Sequence, residues 1–165
     1  MSSPPFLPFS KRSIPMQNDY SKNLFRLVRE AADRLSSLDP ETLETREHAE
    51  AWSKKEILGH LIDSAANNQQ RFVRAADPDH TGELVTPSYN HRHWVDLQGW
   101  QHGDWNQLLV FWLAYNFQIA QTVAQIPDDA LNTPIRVGDT PPVSLTFLLE
   151  DYVEHLKHHV AQLDA

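Results

Sequence analysis

Three of the nine histidines in this 165-residue chain stand where they could share one metal ion. An α-helix turns about 100° per residue, so side chains four apart return to nearly the same face. His155 and His159 have that spacing within DYVEHLKHHVAQL. With His155 at zero, His159 falls at about 40°, Leu148 at about 20°, Tyr152 at about 60°, and Leu156 and Leu163 at about 80 to 100°, which puts both rings in the buried seam. His158 falls at about -60°, beside Glu154 and Asp151, and is expected to point outward. In WSKKEILGHLIDSAANNQQRFVR, with His60 at zero, Ser64 lies at about 40°, Asn67 at about -20° and Arg71 at about 20°. They form one polar stripe bordering the apolar face of Ile57, Leu61, Ala65 and Phe72, with Asp63, Gln70 and Arg74 expected beyond it, toward water. Two imidazoles at i, i+4 can converge on an ion about 2 Å from each nitrogen, and His60 from a neighbouring helix completes a three-histidine set. Three protein ligands leave one position open for water or substrate, as in catalytic zinc sites. The same side chains also suit a hydrogen-bonded core network, and Asn67 and Arg71 either belong to such a network or contact an anionic substrate.

Composition narrows the chemistry further. The absence of cysteine excludes a disulfide framework, thiolate-ligated zinc, an iron–sulfur cluster and a cysteine nucleophile. A transition metal would have to be held by imidazole, carboxylate or water. Lys+Arg 14 against Asp+Glu 22 gives a formal charge of -8, with no basic cluster, which argues against nucleic acid as a partner. No apolar run is long enough to cross a bilayer. The first residues, interrupted by Pro4, Pro5, Pro8 and Pro15, lack the apolar core of a signal peptide. The expectation is a soluble, cytoplasmic protein acting on a small molecule.

The elements that must position the histidines can be read from caps and breaks. Residues 1–17 read as a Pro-rich extension and 18–165 as one domain. Apolar residues spaced by three and four predict a helix from about Asn18 to Leu38, stopped by Asp39-Pro40. Ser53 with Glu56 is a capping box, and Trp52 with Ile57 fits a hydrophobic staple, so a second helix begins there and runs to about Ala76. A third opens at Asp104, with Gln107 at the capping-box position, and ends at Pro127. A fourth begins near Ser144 and runs to about Leu163. Ile135 and Val137 alternate before Gly138-Asp139, at most a short strand-like excursion. Between the second and third helices lies a loop, 77–103, of a length that is often functional. Within it His91 and His93 are expected at the surface or facing substrate, and Trp94 or Trp100 could wall a pocket. His48, His80 and His102 are expected in solvent. The pattern predicts an all-α four-helix bundle.

The stretch from Trp52 to Arg74, with its Gly59-His60-Leu61, followed by the C-terminal HxxxH of His155 and His159, resembles the DinB/YfiT-like superfamily. The likeness covers about 18–163. It implies an up-down-down-up bundle with one long crossover, often a homodimer, and a divalent metal, Zn or Ni, held by His60, His155 and His159. Members of that family resemble either metal-dependent hydrolases or S-transferases and isomerases that use a low-molecular-weight thiol such as bacillithiol or mycothiol. On this reading a bound ion would lower the pKa of a water toward ~7, or that of a thiol cosubstrate. Asn67 and Arg71 would orient substrate, and Ser64 and Asp151 would support the ligating rings, Asp151 by fixing the tautomer of His155. The alternative is a non-catalytic bundle that binds a metal or a ligand.

Overall fold

A computed structural model of the chain describes residues 19–165; the extension expected at 1–17 lies outside the described residues. Helix α1 (Asp19–Leu35) buries Leu24, Val28, Ala31 and Leu35, whereas Leu27 and Leu38, which share their three-and-four spacing, are half-buried and Leu38 lies beyond the helix end. Helix α2 (Lys54–Ala75) opens on the expected capping box, in which the Ser53 hydroxyl accepts the Glu56 N–H and the Glu56 carboxylate accepts the Ser53 N–H at 2.9 Å. That carboxylate also takes a two-pronged pair from Arg46, at 2.6 and 2.9 Å, which lets a charge be buried at the cap. After strand β1 (Leu84–Thr86) come helix α3 (His91–Gln98) and a 3-10 turn at Trp100–His102. Helix α4 (Trp105–Ala124) is capped by the Asp104 carboxylate, which accepts the Gln107 N–H at 2.9 Å. Strands β2 (Pro134–Val137) and β3 (Val143–Ser144) precede helix α5 (Leu145–Asp164), capped by Ser144.

Contacts at the helix ends fix how the four long helices run. The start of α1 meets the end of α4 through Ser21 Oγ to the Ala120 carbonyl, 2.7 Å, and the start of α4 meets the end of α1 through Trp105 Nε1 to the Leu35 carbonyl, 3.1 Å. These two helices are antiparallel. Arg34 pairs with Asp164 at 3.0 Å and Tyr20 donates to Glu150 at 3.3 Å, so α1 and α5 run the same way. Lys54 donates to the Leu163 carbonyl at 2.7 Å, so α2 runs against α5, and therefore with α4.

That parallel pair dictates the rest. A chain leaving the end of α2 must recross its length before starting α4. For 22 residues that is about 33 Å, too far for a tight turn. The loop expected at 77–103 is this crossover, and it is not structureless: it forms β1, α3 and the 3-10 turn. The connections after α2 and after α4 emerge at the same end, where β1 pairs in parallel with β2 (Leu84↔Ile135) and β2 pairs antiparallel with β3 (Ile135↔Val143). The expected four long helices are present and the chain is mostly helical; to them the structure adds the short helix α3 and a three-stranded sheet among the described residues, so the fold is not purely α. The strand-like excursion at Ile135 is the sheet's middle strand, with Ile135 in the core.

The returning segment lies on α2 beside His60. Trp100 packs so closely on Gly59 that a Cβ there would stand 2.1 Å from the indole. In an open helix Gly→Ala gains about 1 kcal/mol. Here Gly59→Ala is expected to cost about 1–3 kcal/mol through overpacking, read as a lower urea midpoint with altered Trp fluorescence. A raised midpoint would show that Trp100 does not hold the crossover onto α2.

Candidate metal centre

His60 projects from the second turn of α2 and His155 and His159 from successive turns of α5, so the antiparallel contact of these helices brings the three rings together. Their ring centroids are 5.1 Å (His60–His155), 4.9 Å (His60–His159) and 4.6 Å (His155–His159) apart. One nitrogen from each lies within 4.8 Å of the others. Nε2 of His60 and Nε2 of His155 face each other at 3.1 Å. Nitrogens bound tetrahedrally to zinc at about 2.0–2.1 Å stand about 3.3 Å apart, so this donor spacing fits an ion. Two neutral imidazoles facing through Nε2 can make only one N–H···N bond, whereas a cation takes a lone pair from every ring. His158 is exposed, as its phase indicates.

Electrostatics keeps the rings uncharged. His60, 1% exposed, is pushed down to about 3, first by burial and then by His155, His159 and His91. His155 is pushed down to about 4 by burial and then His159, and His159 is lowered by burial, against an opposing hydrogen bond to Gln162. Neutral imidazole is the form that ligates a metal. His159 donates Nδ1–H to Gln162 Oε1 at 2.7 Å, which leaves Nε2 as its lone-pair nitrogen. Gln162 was not singled out from sequence, although its i+3 spacing from His159 was legible. Nδ1 of His60 and of His155 is buried without a partner among the described residues.

Cavities adjoin the cluster on both sides. One of about 480 Å³ is lined by His155, His91, Tyr89, Ser64, Asn68, Arg71 and Asp151. Another, of about 630 Å³, is lined by His159, Trp52, Lys54 and Gln162. Trp52, rather than Trp94 or Trp100, walls the cluster, its ring 4.9 Å from His60. Trp94 packs on Tyr89 and Trp100 on Gly59. His91 is exposed, with its ring 5.1 Å from His60.

The other expected site residues divide. Arg71 and Ser64 line the first cavity, and Ser64 hydrogen-bonds Tyr89. Asn67 does not line it: it faces a separate cleft with Gln70, Arg74 and Val85 and donates to the Asp63 carbonyl. Asn68, one residue and about 100° further round the helix, takes that place in the cavity. Asp151 is exposed on the cavity wall and makes no hydrogen bond to His155. Asp63, expected in water, is 1% exposed, because the crossover covers that face. Its carboxylate accepts from Gln98 Nε2–H and, at 3.1 Å, from Trp100 Nε1–H, and burial holds it up at about 6. His80 is half-buried rather than solvated, in the turn after α2, whereas His48 and His102 are exposed as expected.

The sequence model of the DinB superfamily matches residues 24–163. YfiT from Bacillus subtilis, described as a probable metal-dependent hydrolase with an unusual four-helix bundle topology, aligns with a TM-score of 0.77 at 18% identity, over 96% of this chain and 89% of that one. A mycothiol-dependent maleylpyruvate isomerase aligns with a TM-score of 0.68 at 13% identity, over 89% of this chain and 60% of that one. This chain thus spans less than two thirds of the isomerase. At these identities the likeness is one of fold. No curated protein matches by sequence.

The lowered histidines carry a pH signature. Below the ordinary histidine value of 6.5 the unfolded chain takes up protons on these three rings that the folded chain refuses until about 4 at His155 and about 3 at His60. Stability must therefore fall as pH drops through that window. Asp63, with its folded value of about 6 above its ordinary 3.8, opposes this as one group against three. The urea midpoint of chelator-treated protein is expected to fall between about pH 7 and about pH 5. A midpoint that rises on acidification would contradict the uncharged cluster.

Proposed function

The chain belongs to the DinB superfamily, and from that membership together with the three-imidazole geometry we propose a divalent-metal-dependent enzyme that hydrolyses a small molecule. The observation that carries this reading is the convergence of His60, His155 and His159, one donor from each within 4.8 Å, at the edge of a cavity large enough for a small ligand. These three residues would hold a divalent transition-metal ion such as zinc or nickel, both of which imidazole suits. When bound, such an ion supplies Lewis acidity beside the cavity and makes the proton of a water or thiol easier to lose near neutral pH. The relative helix directions support the up-down-down-up arrangement with one crossover.

The protein's own groups have separable tasks. Gln162 fixes the tautomer of His159, and Trp52 covers His60 and excludes water from that side. Asp63 ties Gln98 and Trp100 to α2 and so positions the crossover that carries Tyr89 and His91. His91, outside the metal set and at the cavity rim, is placed to exchange a proton with substrate at a ring nitrogen. A second reading, thiol-dependent transfer, is favoured by the mycothiol-dependent structural neighbour. The sulfur would arrive on a cosubstrate, because the chain has no cysteine.

Metal analysis of protein purified without chelator tests the reading. One divalent ion per chain is expected, lost in His60→Ala and His155→Ala and kept in His158→Ala. Metal at about 100 times its dissociation constant should add about 2.7 kcal/mol of stability. Absence of any ion after purification and on titration would overturn the metal reading, and equal loss in His158→Ala would overturn the ligand set. With metal in place, ester or amide turnover abolished by chelation supports hydrolysis, and turnover only with added thiol supports the second reading.

A further inference from the structure

Arg71 is a buried cation that no carboxylate among the described residues meets in a direct ion pair. It is 9% exposed, and its hydrogen bonds run to neutral acceptors, the Asn68 Oδ1 at 3.2 Å and the Pro87 carbonyl at 3.4 Å. Residues 1–18 contain neither Asp nor Glu. A buried guanidinium carries five N–H donors and needs a counter-charge. Burial disfavours its charged form. In a chain of formal charge -8, the carboxylate that stands on the same cavity wall, Asp151, favours the charged guanidinium from a distance without forming an ion pair with it.

Arg71 lines the same cavity as His155, and on its other side the cleft that holds Asn67. Arg71 lies about 16 Å beyond His60 along the α2 axis, and helical side chains lean toward the N-terminus, so it reaches back toward the cluster. The cavity joins this charge to an apolar wall of Val137, Val143, Phe147 and Leu148. A planar guanidinium matches a carboxylate fork to fork. A phosphate dianion fits less well, because one arginine cannot neutralise it and Asp151 on the same wall repels it.

We infer that this cavity takes a small aliphatic carboxylic acid, its carboxylate paired with Arg71 and its body along the apolar wall toward His155. That the far end is the reacting end rests on the metal-enzyme reading above. The anion site itself does not.

NMR titration of the full chain with pentanoate, pentanamide and inorganic phosphate tests the assignment, on protein as purified and again after chelation. Pentanoate is expected to bind roughly tenfold or more tightly than either pentanamide or phosphate. Arg71→Met should weaken it by a similar factor, with or without metal. Asp151→Asn, at an exposed position, should tighten it by removing a like charge, and this arm stands if Arg71→Met fails to fold. Equal binding of the amide, tighter binding of phosphate, pentanoate affinity unchanged in Arg71→Met, or weaker binding in Asp151→Asn would each overturn it. Metal content measured on the same samples separates failure of the anion site from failure of the metal site.

Discussion

Three imidazole rings packed with centroids 4.6 to 5.1 Å apart at the contact of α2 and α5 can stay there only uncharged. A first added proton would meet the low-dielectric surround, and a second would also meet a like charge on a neighbouring ring. The fold meets that condition by running α2 against α5, so that a histidine near the start of one helix faces two near the end of the other. Shifting either helix by one residue would turn its ring by about 100° and disperse the set.

The remaining architecture follows from supplying walls to that contact. Because α2 and α4 run in the same direction, the chain must recross the bundle, and the crossover passes over the face of α2 that carries His60 and Asp63. Trp100 against Gly59, and Gln98 and Trp100 on the Asp63 carboxylate, hold the segment down. The same segment delivers Tyr89 and His91 to the cavity. Neutral histidines at one part of this region and a guanidinium without an ion pair at another make it electrostatically directional: an electron-pair donor set near His155, an anion acceptor at Arg71.

Much of this was legible in the sequence, for identifiable reasons. Ser53 with Glu56 and Asp104 with Gln107 marked two helix starts because capping is a local interaction. The inward phase of His155 and His159, and the outward phase of His158, followed from one helix turning against its own apolar stripe. What was not legible depends on chain segments distant in sequence. Asp63 lies opposite the bundle core on α2, and only the returning crossover buries it. Within 77–103, α3 is a short helix and β1 a three-residue strand whose partner is fifty residues away, so periodicity had little to act on. Asn67 and Asn68 differ by about 100° of phase, and which of them meets the cavity is decided by where β1 and Tyr89 pack.

The most direct test of a three-imidazole metal centre is X-ray absorption at the zinc edge of zinc-loaded protein. The account predicts about three imidazole nitrogens at ~2.0–2.1 Å with one further light-atom ligand. A shell of oxygens alone, or one in which imidazole scattering is undiminished in His155→Ala, would contradict it.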